Sequence, residues 1–304
     1  MMHIFKKYGT LIALIFIYIG FSILAPKVFP TGRNLSNILL QISLLTIISQ
    51  GATLIVIIKD FDLSIAAISS LGGVLAAGLM VSGINIFIAI LITLGIGIII
   101  GIINGLIISK LNISSFIATL ATSTIIGGIT FWYTQGSTIF SGIPDNFLVF
   151  GQGKIWGIPI PTLFMFITLI SVWFILSYTE LGRKFYAIGG GPEVAKLSGV
   201  NVNRVRITAF AISGVLAVFT GILLASRLGS AHPTAGSGYL LKSYAAVFLG
   251  MTVFGEGKAN AFGTFVGALI MGVLANGLTI LDVPYYFQDM LTGIIIIIAL
   301  VVKE

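Results

Sequence analysis

The chain has 304 residues, of which 57% are hydrophobic and only 8% charged, with a mean hydropathy of +1.13, a net charge of +7 and no cysteine. A soluble domain carries about 25% charged residues, so lipid is the solvent for most of this surface, and no stretch is long or polar enough to form a separate soluble domain. The missing cysteines exclude disulfides, thiolate metal sites and cysteine nucleophiles, and the basic residues form no stripe of the kind nucleic acid requires.

At roughly 20 apolar residues per crossing, spans are predicted at about 10–25, 35–58, 63–82, 84–108, 113–133, 161–178, 207–228, 241–254, 262–281 and 285–302. The first follows Lys6 and Lys7 as a signal peptide would. It lacks a small-residue cleavage site and is expected to be retained. The third is rich in Gly, Ala and Ser. The eighth is too short to cross upright, and a half-helix or a tilted helix is expected there. The loop 135–161 carries Gly136, Gly142, Pro144, Gly151, Gly153, Gly157, Pro159 and Pro161, which predicts a run of turns. The segment 180–206 holds seven of the 25 charged residues. With the N-terminus inside, 11 of the 16 basic residues fall on inner segments and five on outer ones. That bias predicts a multi-pass protein with both termini cytoplasmic.

An internal repeat is visible. Leu63, Ala67, Leu71 and Gly72 share their spacing with Leu241, Ala245, Leu249 and Gly250, and Asn104-Gly105-Leu106 matches Asn276-Gly277-Leu278. The copies begin five spans apart, and an odd offset reverses direction. Two inverted halves, about 1–160 and 161–304, are therefore predicted within a single transmembrane domain, with a substrate path near their pseudo-two-fold axis. Chance recurrence of Gly and Leu in an apolar chain is the plain alternative.

Gly189-Gly190-Gly191 lacks the Lys-Ser/Thr of a phosphate loop, and no strand precedes it. Gly97 and Gly101, four apart, are expected to allow close helix packing. Ionisable groups are almost absent from the spans. Asp60 and Asp62 lie at an inner mouth, Glu180, Glu193 and Glu256 in inner loops, Asp145 and Asp282 in outer ones, and Asp289 near the start of the last span. No His-x-x-x-His or Glu-x-x-His spacing holds a metal, and no catalytic set or metal site is predicted. An ion-coupled carrier usually needs an ionisable residue at mid-membrane. Asp62 is the one candidate, and its competing role is to cap the helix starting near Leu63. Gln50, Ser64, Asn104 and Asn276 are candidates to line the path, or else to bond helix to helix.

Residues 189–199 read as a short capped helix between glycine hinges. Pro192 suits its first position, Glu193 its positive end, and Gly199 a left-handed stop. Val194, Ala195 and Leu197 give it a small apolar face. It is either a docking element for a soluble partner or an ordinary surface helix whose neighbours Arg183, Lys184, Arg204 and Arg206 touch headgroups.

These residues resemble a family. Leu181-Gly182-Arg183, Ala187-Ile188-Gly189-Gly190 and Leu197-Ser198-Gly199-Val200-Asn201-Val202 are similar to the coupling segment of ribose-type (monosaccharide) ABC importer permeases. So are Ala225-Ser226-Arg227-Leu228, the run from Pro233 to Tyr239, Gly263-Thr264, Gly267-Ala268-Leu269-Ile270, Asn276-Gly277-Leu278 and Asp62-Leu63-Ser64. Lys59 and Asp60 stand where that family usually has glycines, Phe61 replaces Ile, Ala66, Met251 and Glu256 replace glycines, and His232 replaces Gln.

The resemblance implies an all-α membrane protein of about ten helices, with a cobalamin-importer-like permease architecture, in the bacterial cytoplasmic (inner) membrane. It implies a transport subunit, not an enzyme, of an importer for a pentose or related small sugar. The implied partners are a second permease subunit (the same chain or a homologue), a cytoplasmic ABC ATPase that binds ATP and Mg, and an extracytoplasmic sugar-binding protein. This chain itself is expected to bind no cofactor and no nucleic acid. Gly190, Gly191, Pro192, Glu193, Ala195, Lys196, Leu197, Ser198 and Gly199 are the implied contacts to the ATPase. A permease of the same family for an autoinducer-type or other sugar, and an ion-coupled secondary carrier, are the alternatives.

Overall fold

The chain is an all-α membrane protein. The computed structural model describes residues 2–253 and 257–303, with side chains for 9–253, 257–299 and 301. Glu256 and the expected end of the eighth span at 254 lie outside the described residues. The helices are α1 (Met2–Leu24), α2 (Gly32–Ile57), α3 (Ile65–Val81), α4 (Ile86–Lys110), α5 (Ser115–Thr134), α6 (Asp145–Gln152), α7 (Ile160–Tyr178), α8 (Glu180–Gly190), α9 (Pro192–Leu197), α10 (Val202–Leu228), α11 (Tyr239–Met251), α12 (Ala261–Ile280) and α13 (Tyr285–Lys303). Strand pairing among the described residues is confined to a minimal ribbon of β1 (Lys154–Ile155) and β2 (Ile158–Pro159) and a bridge between Ile139 and Ala231.

Among the described residues six helices, α2, α4, α5, α7, α10 and α12, are long and apolar enough to cross a membrane. Segment 9–24, α3, α11 and segment 285–299 are shorter apolar helices. At 1.5 Å per residue, the 13 residues of α11 reach about 20 Å, less than the roughly 30 Å hydrocarbon layer. Side-chain oxygens start several helices by accepting free N–H groups. Asn85 caps α4 through Phe87 N (2.9 Å), Asn201 caps α10 through Arg204 N (3.0 Å) and Asn260 caps α12 through Gly263 N (2.7 Å).

Helix α1 starts at Met2 rather than about 10, and three further segments differ from the sequence expectation. The loop 135–161 holds α6 as well as turns, because Phe147 is fully buried and its carbonyl accepts the Ser226 hydroxyl at 2.6 Å. The segment 180–206 holds a second helix, α8, which Thr179 starts by accepting the Gly182 N–H. Helix α10 begins at 202 rather than about 207, because Asn201 caps a charged first turn that hydropathy cannot register.

Helix α2 is the axis of the fold. Of its most apolar window 83% is buried, against 22% for α4, whose Phe87 and Leu91 face outward. Helices α3 and α4 pack on α10, while α11 and α12 pack on α2. Glycines set these distances, as the spacing at Gly97 and Gly101 predicts. A Cβ at Gly101 would meet the Phe210 carbonyl, one at Gly97 the Gly214 carbonyl at 2.8 Å, and one at Gly105 the Ile207 backbone at 2.6 Å. Without a hydrophobic drive between helices in lipid, such backbone contact is the main source of adhesion.

Candidate functional site

The chemistry of this chain is concentrated where α2 ends and α3 begins. Residues 58–64 turn sharply there, and Lys59 adopts φ +60°. The backbone N–H groups of this turn are satisfied from several elements. Phe61 N donates to Ser115 Oγ (3.1 Å), Asp62 N to Tyr244 Oη (2.7 Å) and Leu63 N to Thr119 Oγ1 (3.0 Å). Tyr244 returns its hydroxyl hydrogen to the Asp62 carbonyl at 3.3 Å. An unpaired N–H in this surrounding would cost several kcal/mol.

Asp62 is buried at the centre. Its Oδ1 accepts from Ser64 N (3.0 Å) and Ser64 Oγ (2.5 Å), and its Oδ2 from Ser213 Oγ of α10 (3.1 Å). Asn104 of α4 donates to Ser64 Oγ at 2.9 Å and accepts from Thr122 of α5 at 2.7 Å. Five elements, the start of α3 and helices α4, α5, α10 and α11, are therefore joined around Asp62: Ser64 and Ser213 at its carboxylate, Tyr244 at its backbone, and Asn104 and Thr122 through Ser64. Asp62 accepts the N–H of Ser64, the residue just ahead of α3, rather than a free N–H of the helix's first turn, and it binds α10 through Ser213 as well. Burial pushes its carboxyl above the usual range, and the Ser64 and Ser213 bonds oppose that shift.

Asp60 lies two residues away and pairs with Arg206 of α10, with 2.6 Å between Oδ2 and Nε. Burial pushes its carboxyl up as well, against the pull of the guanidinium. Arg206 is thus tied to α2 rather than to lipid headgroups.

The four path candidates divide. Ser64 and Asn104 bond to each other. Gln50 donates to the Ala261 carbonyl at 3.0 Å, with its Oε1 left without a partner. Asn276 accepts from Asn34 at 2.9 Å. All four are buried. Thr119, Thr122, Ser213 and Tyr244 escape a sequence reading, because no spacing marks a hydroxyl that bonds a partner 18 to 182 residues away.

Below this cluster stands α9. Pro192 occupies its first turn, Glu193 its acidic start and Lys196 its basic end, and Ser198 Oγ donates to the Val194 carbonyl at 3.0 Å. Gly199 takes φ +84°. Ala195 is buried, whereas Val194 is 69% and Leu197 89% exposed. Gly189 and Gly190 lie inside α8 and are not hinges; a Cβ at Gly189 would strike the Ile57 carbonyl, which seats α8 on the end of α2. Gly191 separates the two helices. A cleft of about 1,070 Å³ runs between α9 and the end of α4, lined by Glu193, Lys196, Lys110 and Arg206 among others.

The sequence of this chain is similar to known permeases. Residues 34–300 match the family described as branched-chain amino acid transport system / permease component. Ribose import permease protein RbsC of Escherichia coli K12 is 40% identical over 298 residues, covering 97% of this chain and 92% of that protein. RbsC of Bacillus subtilis 168 is 40% identical over 303 residues, covering 99% and 94%. The galactose/methyl galactoside import permease protein MglC of E. coli K12 is 36% identical over 313 residues, covering 97% and 93%. No solved structure matches the chain.

Proposed function

The chain belongs to the branched-chain amino acid transport system / permease component family, and from that premise we propose that it is the transmembrane permease subunit of an ATP-driven ABC importer for a pentose or related small sugar. The exposed apolar pair Val194 and Leu197, on a helix whose other face is packed, carries this reading. Val194 and Leu197 are three residues apart and so share one face of this capped helix, which offers a paired apolar surface to a partner.

Ten helices cross the bacterial inner membrane in two inverted halves, with both termini cytoplasmic and a cobalamin-importer-like arrangement. The reciprocal packing supports the repeat, since α3 and α4 lie on α10 as α11 and α12 lie on α2. A cytoplasmic ABC ATPase, which binds ATP and Mg, docks on residues 190–199. A second permease subunit completes the pathway, and an extracytoplasmic sugar-binding protein delivers the substrate.

Force on α9 passes through the first turn of α10 to Arg206 and Asp60, and from there to the Asp62 cluster. Separation of the five helices joined at Asp62 opens the inner side. Ser64 and Asn104 then face the path from the inner cluster, and Gln50 and Asn276 from their own interhelical contacts.

The test is uptake of D-ribose into proteoliposomes holding the permease, the ATPase and the binding protein. Uptake requires ATP and the ATPase, and persists when ion gradients are collapsed. Full uptake without ATP, or its loss on collapsing an ion gradient with ATP present, overturns the reading in favour of an ion-coupled carrier.

A further inference from the structure

On the outer side, a cavity of about 260 Å³ opens between α2, α10, α11 and α12. Its polar lining is Gln41, Arg227, Tyr239 and Lys242, set against the apolar side chains of Leu45 and Met271. Among the described residues, the Gln41 amide, the Arg227 guanidinium and the Lys242 ammonium make no hydrogen bond or ion pair within the chain. No carboxylate lines the cavity.

The lining is held in place by backbone contacts. Gly151 of α6 packs on the Arg227 backbone, and Gln152 Nε2 donates to the Arg227 carbonyl at 3.1 Å. Tyr239 follows a turn in which its N–H donates to the Gly236 carbonyl at 3.0 Å, while Gly236 N donates to Ser70 Oγ of α3 at 2.9 Å. The elements that anchor Arg227 and Tyr239 leave their side chains free to face the cavity.

We propose that this cavity is a monosaccharide subsite at the outer mouth, where the sugar rests between its delivery and its passage. This rests on the importer reading above. The volume lies below the roughly 300–1,000 Å³ of drug-sized ligand sites and suits a single sugar ring. Arg227 and Lys242 donate to hydroxyl and ring oxygens, and Gln41 and Tyr239 both donate and accept. Leu45 and Met271 cover the C–H face of the ring. With a few bonds that exchange for water, the site holds its ligand weakly enough to release it.

The experiment uses the full chain in nanodiscs, without partners. Saturation-transfer NMR is recorded with D-ribose, D-allose, D-galactose and, separately, D-glucuronate. Transfer to at least one neutral sugar is expected, with affinity weakened about tenfold in each of Gln41→Leu and Lys242→Met. Lys154→Gln, which removes an exposed outer cation away from the cavity, leaves it unchanged. Thermal unfolding of each variant separates lost binding from lost folding, and the two variants are independent. No transfer to any neutral sugar, transfer to glucuronate alone, or transfer indifferent to both substitutions overturns the subsite. ATP-driven uptake without transfer overturns the subsite and leaves the importer standing. Transfer without ATP-driven uptake does the reverse.

Discussion

Arg206 Nε lies 2.6 Å from Asp60 Oδ2, and this ion pair fastens the first turn of α10 to the end of α2. The two residues are 146 positions apart, and Arg206 lines the same cleft as Glu193 and Lys196 of α9.

Removing one partner strands the other. The Asp60 side chain is nearly buried and that of Arg206 is 21% exposed, so the loss falls below the 3–5 kcal/mol of a fully buried pair, at about 2 kcal/mol. Arg206→Gln and Asp60→Asn should each lower the thermal unfolding midpoint in detergent. The double variant Asp60→Asn with Arg206→Gln should lose less than the two single losses combined, because it leaves no unpaired charge. Simple additivity would show that the pair is not coupled.

Lys59 holds φ +60°, a conformation that costs a residue with a Cβ about 1–2 kcal/mol. Replacing it with glycine should stabilise the protein by about 0.5–1 kcal/mol, and valine should destabilise it. Equal midpoints for all three would contradict the strained turn.

At Gly101 a methyl group has nowhere to go, whereas nothing lies within 4 Å of a Cβ at Gly127. Gly101→Ala should cost about 1–3 kcal/mol or more through overpacking, while Gly127→Ala should be neutral or favourable through helix propensity. Size-exclusion profiles and unfolding midpoints of the two variants compare them directly.

Tyr244→Phe removes the acceptor of the Asp62 N–H and the donor to its carbonyl without changing shape. The expected loss is about 1–3 kcal/mol, the cost of a buried group left unpaired. Hydrogen exchange should rise in residues 60–64. Unchanged exchange would mean that the turn does not depend on α11.

The sequence foretells much of this fold, because hydropathy reports lipid contact directly. Helix α4, the most outward-facing, begins and ends within two residues of expectation, whereas α1 starts about eight residues early. The other failures share one cause. Helices α6 and α8 and the first turn of α10 lie outside lipid, where hydropathy is silent, and local caps at Thr179 and Asn201 decide the matter. At the site, Asp62, Ser64 and Asn104 are legible as scarce polar residues among apolar ones. Their partners Ser213, Thr122 and Tyr244 are not, since a lone hydroxyl in a span looks alike whether it bonds its own helix or another. Asp60 looks like a mere departure from glycine until Arg206 is seen beside it.

The central claim is that energy enters through α9. A photo-crosslinking residue placed at Leu197 in the assembled transporter tests it most directly, with one at the lipid-facing Trp132 as the control. The expected result is a single product between Leu197 and the ATPase, and none from Trp132, together with loss of ATP-driven uptake in Leu197→Asp and no change in its unfolding midpoint. A transporter in which Leu197 captures no ATPase, and in which Leu197→Asp transports at the full ATP-driven rate, would contradict the claim.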